Sequence, residues 1–525
     1  MDFGKPKKFF NYRPLVSICL FFIAGVIFAT AILTKLTVLI VLATLSIVGL
    51  ILTIVLKAVY AKKYKIFKII SVILAFLISA TISVVLLHVH NVSPNYNGDF
   101  YITGRVSERV YLNNENQYVL SLDNVKITNL ETLKEEGVSY NVRLYLEEGD
   151  GRSADFILGE RVAGTFRFTK ASIVYKGKLN LYMFNRNIKL IGFGEEDDIV
   201  SLNKVNSNMF DKIKIKVKSI LDTHMSSEYS ELGYTMLFGD KSGLDNKIYS
   251  SYSASGIGHL LAVSGLHVGF VVTLFTLILS LFRANNKVKF CVISVALFLY
   301  AFACGFSVSV TRAFIMTVVM LFAKCRMKEY DSLSSLSFAA LIILITNPMW
   351  IFDIGFILSF SAVASIILIA PPIRFRLNKY LGYKTSSAIS TSVAVTLGTS
   401  LPMMVSFSKL SIFSIVTNVI VIPIASVAYM IMFASVLLAL ILPALGVFTY
   451  MFEFLMKIVT GISSITGSVN FAGFNQILVL IFGVMIVLTA ITFSDYLFMN
   501  KKSRRIISFS SLCLTIVVCL LVFIC

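Results

Sequence analysis

The sequence is short of charge. Asp, Glu, Lys and Arg make up 14% of its 525 residues, against roughly 25% in ordinary soluble domains, while 57% of the residues are hydrophobic and the mean hydropathy is +0.83. A soluble core does not need that much apolar surface. Cysteine is missing where it would matter for architecture. All seven (Cys19, Cys291, Cys304, Cys325, Cys513, Cys519, Cys525) lie within or beside apolar runs, and none falls between Asn91 and Glu228. That placement supports no disulfide framework and no Cys-based zinc site, and fits buried, soft packing residues. A Gly-x-x-x-x-Gly-Lys-Ser/Thr loop is also absent, so any driving force must be supplied from outside the chain.

What is abundant is apolar sequence in long windows. Leu15–Leu33, Thr37–Leu56 and Ile69–Leu87 are each about as long as the ~20 residues that cross a bilayer. They predict a polytopic helical membrane protein. The net charge of +19 does not by itself point to nucleic acid. Between Asn91 and Glu228 there are 18 Lys+Arg and 19 Asp+Glu, which leaves 29 basic and 9 acidic residues among the hydrophobic segments. Membrane insertion alone concentrates Lys and Arg in cytoplasmic loops. The opening "MDFGKPKKFFNYRPLVSICLFFIAGVIFATAIL" has a basic start, and Ala29-Thr30-Ala31 mimics a cleavage site. Because the apolar run continues past it and two more spans follow, a retained first helix is expected.

Basic clusters set the expected topology. Lys5, Lys7, Lys8 and Arg13 precede the first span, and Lys57, Lys62, Lys63, Lys65 and Lys68 lie between the second and third. With these inside, the third span delivers the chain outside, so residues 89–252 are expected to be extracytoplasmic and the N-terminus cytoplasmic. The later basic loops, Phe282–Lys289, Lys324–Asp331, Arg374–Lys384 and Lys501–Arg505, can all lie inside only with an odd number of spans. About thirteen are expected, with the C-terminus extracytoplasmic. The stretch Ser411–Leu442 reads either as one long span broken near Pro423 or as two short ones.

Three regions follow: 1–88, an N-terminal transmembrane region of three helices; 89–230, a polar β domain with an amphipathic helix; and 231–525, a transmembrane core. The β reading rests on runs such as "DFYITGRVSERVYLNNENQYVLSLDNVKI", "SYNVRLYLEE" and "RVAGTFRFTKASIVYKG". Alternating β-branched and aromatic residues between Gly, Asn and Asp turns predict a small barrel or sandwich. "NKVNSNMFDKIKIKVKSILDTHM", carrying Lys212, Lys214, Lys216 and Lys218, predicts an amphipathic helix on the membrane surface.

Polar residues at membrane depth are the functional candidates, because burying them in hydrocarbon costs several kcal/mol. "SGIGHLLAVSGLHVGF" holds His259, Ser264, Gly265 and His267 where a span should begin. Eight positions separate the histidines, so a regular helix turns them apart and no shared metal is expected. Gly256, Gly258, Gly265 and Gly269 permit unwinding, which is tolerated where backbone faces protein or a water-filled cavity. Close helix packing through small residues is the alternative. Arg312 lies in or at the end of a span, either to meet an anion or to snorkel to the interface. Asp353 is either its partner or a helix-start cap. Pro402 after Gly398, and Asn418 with Pro423, read as interrupted helices of the kind that build transport sites. Ser264 three residues before His267 also admits an intramembrane serine hydrolase, although the base would then share a helix with its nucleophile.

The run "HLLAVSGLHV" resembles the signature of the ComEC competence-protein family, the DNA-uptake channel of natural transformation. "LFGDKSGLD", "GFSVSVTRAFIM", "FDIGFILSFSAV", "TSLPMMVSFSKLS" and "TNVIVIPIA" resemble its further motifs in the same order. The resemblance implies an extracytoplasmic OB-like domain and passage of single-stranded DNA across the cytoplasmic membrane, without cofactor or covalent step. It implies three partners beyond the bilayer: an outer DNA receptor, a cytoplasmic helicase-like motor and, where needed, a separate nuclease. The sequence departs from the longer members in having no His-x-His-x-Asp-His cluster, so a short form without the metallo-β-lactamase-like domain is expected. In the β domain, Tyr101, Tyr111, Tyr118, Phe166 and Phe168 are candidate base-stacking platforms, with strand-face core packing as the alternative. The near-neutral charge of that domain argues against strong nonspecific phosphate binding. Channel or gate candidates are His259, Ser264, Gly265, His267, Arg312, Asp353, Pro402, Asn418 and Pro423. A transporter of another anionic polymer or lipid stays open as a rival.

Overall fold

The computed structural model describes residues 14–32, 64–91 and most of 99–467, leaving out 113–116, 130–134, 148–159, 203–208, 408–413 and a few shorter stretches. Two helices come first, α1 (Pro14–Ile32) and α2 (Tyr64–Asn91), matching the first and third apolar windows. The second window, Thr37–Leu56, lies outside the described residues, as does everything after Gly467.

A barrel follows. Its strands are β1 (Asp99–Leu112), β2 (Gln117–Asn129), β3 (Asn141–Glu147), β4 (Arg161–Lys170) and β5 (Ile188–Glu195). β1 pairs antiparallel with β2 (Ile102↔Ile127), and β2 with β3 (Leu120↔Leu144). β3 runs parallel to β5 (Leu144↔Gly192), β5 pairs back on β4 (Phe168↔Gly192), and β4 returns to β1 (Ile102↔Gly164). The five strands therefore close on themselves. Register shifts in β1 between Thr103 and Arg105 and between Val106 and Glu108 let one strand bend enough to serve two neighbours. The interior is apolar: Ile102, Leu120, Leu122, Leu144, Leu146 and Leu190 are buried.

This packing corrects two of the expected stacking platforms. Phe166 and Phe168 are 2% and 4% exposed and belong to the barrel core. They occupy the inward face of β4, and no base can reach them. Tyr101 is exposed on β1. Tyr111 and Tyr118 are cross-strand partners in the β1–β2 hairpin, and their side chains lie outside the described residues.

The helical core continues with α3 (Met209–His224), α4 (Ser227–Phe238), α5 (Asn246–Ala254), α6 (Gly265–Leu281), α7 (Asn286–Ala303), α8 (Val308–Cys325) and α9 (Ser332–Thr346). It closes with α10 (Ile354–Leu368), α11 (Ala370–Leu377), α12 (Tyr383–Phe407), α13 (Ser414–Ala439) and α14 (Thr449–Gly467). Short polar side chains start several of them. Asn285 accepts from Val288 N at 2.9 Å, Asp331 from Ser334 N at 3.0 Å and Asp353 from Phe356 N at 3.0 Å, each satisfying an orphan first-turn amide.

Among the described residues, four helices are long and apolar enough to cross a membrane: Asn286–Ala303, Val308–Cys325, Thr417–Ala439 and Pro443–Gly467. The pair α10 and α11, bent by 43°, makes a fifth if it forms one span. Shorter apolar helices lie at Pro14–Phe28, Ser71–Leu86, Gly265–Leu281 and Ser332–Thr346. The expected total of about thirteen spans draws partly on chain outside the described residues.

Two further expectations are corrected. α12 runs through Pro402 and α13 through Pro423 without a break. Each proline removes one backbone donor, and the carbonyls left over belong to Gly398 and Val419, one turn earlier. A packed bundle tolerates such single losses. Ser411–Leu442 thus contains one helix, α13, through its described part. The amphipathic helix α3 packs its apolar face on the helical core. Its Val217 and Leu221 are buried among residues of α4, α5, α13 and α14, and Lys218 reaches Asp222 and Glu231, each at 2.8 Å.

Candidate functional site

The helix path is interrupted between α5 and α6. Ser255 closes α5, Gly256 takes φ +81°, a 3₁₀ turn spans Gly258–Leu261, and Ala262 and Ser264 are extended. Gly256 occupies the left-handed region that favours glycine. Ile257, Leu260 and Leu261 are 0% exposed and anchor the irregular stretch in the core. From α14, Ser463 Oγ lies 2.9 Å from Ser251 Oγ and 3.0 Å from Ser255 Oγ, and Thr460 Oγ1 lies 3.0 Å from Tyr252 Oη. The end of α5 is thereby fixed against α14, while His259 and Ala262 of the unwound stretch stay exposed.

Ser264 ends the interruption as the N-cap of α6. Its hydroxyl accepts from Leu266 N at 3.3 Å, and the Ser264 amide donates to His267 Nδ1 at 3.0 Å. His267 thus stands where a capping box usually places Glu or Gln. Because Nδ1 accepts, the neutral ring carries its proton on Nε2. That Nε2 is buried without a partner. The ring packs on Tyr429 of α13, centroids 4.5 Å apart, and edge-on to Phe270. Ser264 Oγ is 3.3 Å from Nδ1, but the ring nitrogen is already engaged by the backbone amide. The arrangement serves capping and gives the hydroxyl no free base, which weighs against the hydrolase reading. His259 sits exposed on the 3₁₀ turn, apart from the buried His267.

Arg312, in the first turns of α8, is 5% exposed. One terminal nitrogen donates to the Ser359 carbonyl of α10, and the guanidinium lies 5.8 Å from the Phe360 ring centroid. Nε has no partner, and no carboxylate pairs with the group among the described residues. Asp353 is a helix cap rather than its partner. The other terminal nitrogen faces the start of α6: a Cβ on Gly265 would stand 2.7 Å from Nη2. Asn418, on α13, is buried with Oδ1 unpartnered. Pro402 is half-buried in α12 and Pro423 exposed on α13.

The structure therefore brings Gly265 of α6 together with Arg312, Ser264 together with His267, and His267 together with α13. It does not draw His259, Asp353 or the two prolines into that group. Sequence reasoning missed a buried tyrosine pair. Tyr300 Oη lies 2.9 Å from Tyr429 Oη and donates to Leu237 O at 3.1 Å, tying α4, α7 and α13 beneath His267. Glu453 forms the local i, i+4 ion pair with Lys457 that their spacing predicts, at 2.8 Å, and its carboxylate also accepts from Ser226 N and Oγ, each at 3.1 Å. On the barrel, Tyr145 and Phe193 stack at 5.5 Å on the parallel β3–β5 pair, with Arg143 over Tyr145. Period-two alternation marks such positions as outward-facing only once a neighbouring face is known to be core. Among the described residues no cluster of three His, Cys, Asp or Glu side chains could hold a metal.

A closed barrel and an apolar bundle with several helices long enough to cross a bilayer define a multi-pass membrane protein, and its core keeps a buried cation and an unwound turn. Residues 236–496, just under half of the chain, match the family described as Competence protein. Every channel candidate from His259 to Pro423 lies inside the matched region. The chain is 31% identical over 187 residues to ComE operon protein 3 of Bacillus subtilis, covering 35% of this chain and 23% of that protein. Recombination protein 2 of Haemophilus influenzae is 29% identical over 140 residues, covering 25% and 18%. An uncharacterized protein of Aquifex aeolicus is 27% identical over 299 residues, covering 55% and 66%. The chain thus spans less than two thirds of the length of each of these relatives. No solved structure matches it.

Proposed function

We propose that the chain conducts single-stranded DNA across the cytoplasmic membrane during uptake for natural transformation. The observation that carries this reading is the buried Arg312, paired with no carboxylate among the described residues, beside the unwound start of α6, in the part of the chain that matches the competence family. An ionisable group buried among apolar helices marks a substrate path by default, and a cation suits a polyanion. The side chains of Ser264, His267, Arg312 and Asn418 line or gate the path, and no covalent step occurs on the strand here. The barrel is OB-like and extracytoplasmic. Its exposed Tyr101, and the Tyr111–Tyr118 pair of its β1–β2 hairpin, guide incoming strand. The N-terminus is cytoplasmic and the chain crosses the membrane about thirteen times. An outer receptor delivers DNA, a helicase-like motor supplies force, and a separate nuclease removes the strand that is not imported.

Uptake of end-labelled DNA in a deletion strain tests the reading. Internalised label is expected to vanish on deletion and to return when this chain alone is restored. Undiminished uptake in the deletion strain would eliminate it in favour of another anionic cargo.

A further inference from the structure

Arg312 raises a physical problem that the conduit reading leaves open: what balances its charge. A buried ion without a partner costs several kcal/mol, and α6 makes matters worse. The N-terminus of a 17-residue helix carries about half a positive charge of its own, and Arg312 Nη2 sits against the first residue of that helix. Two positive ends therefore face one point. No acidic side chain answers them among the described residues, since Asp353 is occupied capping α10. The site is also shaped. The missing side chain of Gly265 lets the guanidinium approach the helix start closely, since a Cβ there would stand 2.7 Å from Nη2. Ser359 and Phe360 hold the guanidinium from the far side, and Nε stays unbonded. The positive end of a helix dipole favours an anion even where its first amides are capped, and an arginine fork matches the two oxygens of a phosphodiester.

We infer that Arg312 and the first turn of α6 form a binding site for a phosphodiester of the translocating strand. This rests on the proposed conduit and makes it more specific. Backbone phosphate is held at one defined point, where α6, α8 and α10 meet, and independently of base sequence.

The test uses the full chain in nanodiscs of zwitterionic lipid and measures equilibrium binding of a labelled oligothymidylate across a salt series. The wild type is expected to bind with a salt-dependent affinity. Arg312→Gln should weaken binding by about tenfold or more, as loss of a charge-assisted contact implies, and should flatten the log–log salt slope by about 0.7. An uncharged methylphosphonate oligomer should bind both proteins alike. Should Arg312→Gln not fold, Gly265→Ala and Arg312→Lys decide. The first keeps the charge but pushes the guanidinium off the start of α6 and should bind several-fold more weakly, and the second should retain the slope with reduced affinity. Equal affinity and slope in the variants would overturn the site while leaving the conduit standing. No binding by the wild type would instead sink the conduit reading itself. If the variants change only the retention of added phosphatidylglycerol, a lipid headgroup occupies the site and the strand assignment is wrong.

Discussion

Arg105 and Arg312 show how differently the barrel and the helical core handle charge. Arg105 lies on the wall of the barrel and meets Asp123 with a two-point pair, Nε to Oδ1 at 2.9 Å and Nη2 to Oδ2 at 3.0 Å. Both partners are about a quarter exposed. Arg312 is buried in a more apolar setting and has a carbonyl and a ring in place of a carboxylate. The barrel closes its electrostatics locally, as a domain that only has to fold would. The core leaves a cation open at the point where its backbone unwinds. Unbalanced charge is retained where something else must supply the balance, so in the proposed conduit the phosphate contact falls to the core, and the barrel's share is aromatic guidance.

The largest expected effect comes from removing the open charge. Arg312→Met should lower DNA uptake roughly ten- to hundredfold, the equivalent of one or two kcal/mol or somewhat more. The thermal unfolding midpoint should stay level or rise, because an apolar isostere of an unpaired buried ion is neutral or stabilising. A fall in stability large enough to account for the lost uptake would remove the contrast between the two arginines. The next effect belongs to the barrel. Leu144, 0% exposed at the centre of its core, should cost about 2–5 kcal/mol as Leu144→Ala, read as accelerated hydrogen exchange confined to residues 99–201. Spread of that loss into the helical core would show that the regions are not energetically separate.

Smaller still is the cap. Ser264→Ala should destabilise the start of α6 by about 1 kcal/mol, while Ser264→Asp, which also caps, should restore both helix protection and uptake. Failure of Asp to rescue, with uptake lost in both variants, would revive a nucleophilic role for the hydroxyl. Least of all, Arg105→Gln should cost under about 1 kcal/mol, since partly exposed pairs contribute little, and uptake should be unchanged in the same labelled-DNA assay. A strong uptake defect there would move phosphate contact onto the barrel.

Much of this contrast could be read from the residues. Apolar length gave α1 and α2, alternation gave the barrel strands, and the glycines before His267 gave the break between α5 and α6. What stayed hidden is physical in kind. Alternation says that Phe166 and Phe168 share a face, but only strand pairing decides that the face is inside. A proline announces a lost donor at 402 or 423, but whether the helix breaks depends on packing that sequence does not display. Arg312 was visible as a charge in a span, whereas its neighbours Gly265 and Ser359 come from helices 47 residues away on either side. Asp353, equally visible, could be settled as a cap only by the position of its carboxylate at the Phe356 amide.

The central claim is that the chain from Ser255 to Ser264 borders a water-filled path. It is tested most directly by placing single cysteines along that stretch in a cysteine-free background and exposing cells to a membrane-impermeant thiol reagent. The account predicts modification at the exposed Ala262 and at Ser264, slowed when DNA is being imported. Protection of every position, in resting and importing cells alike, would contradict it.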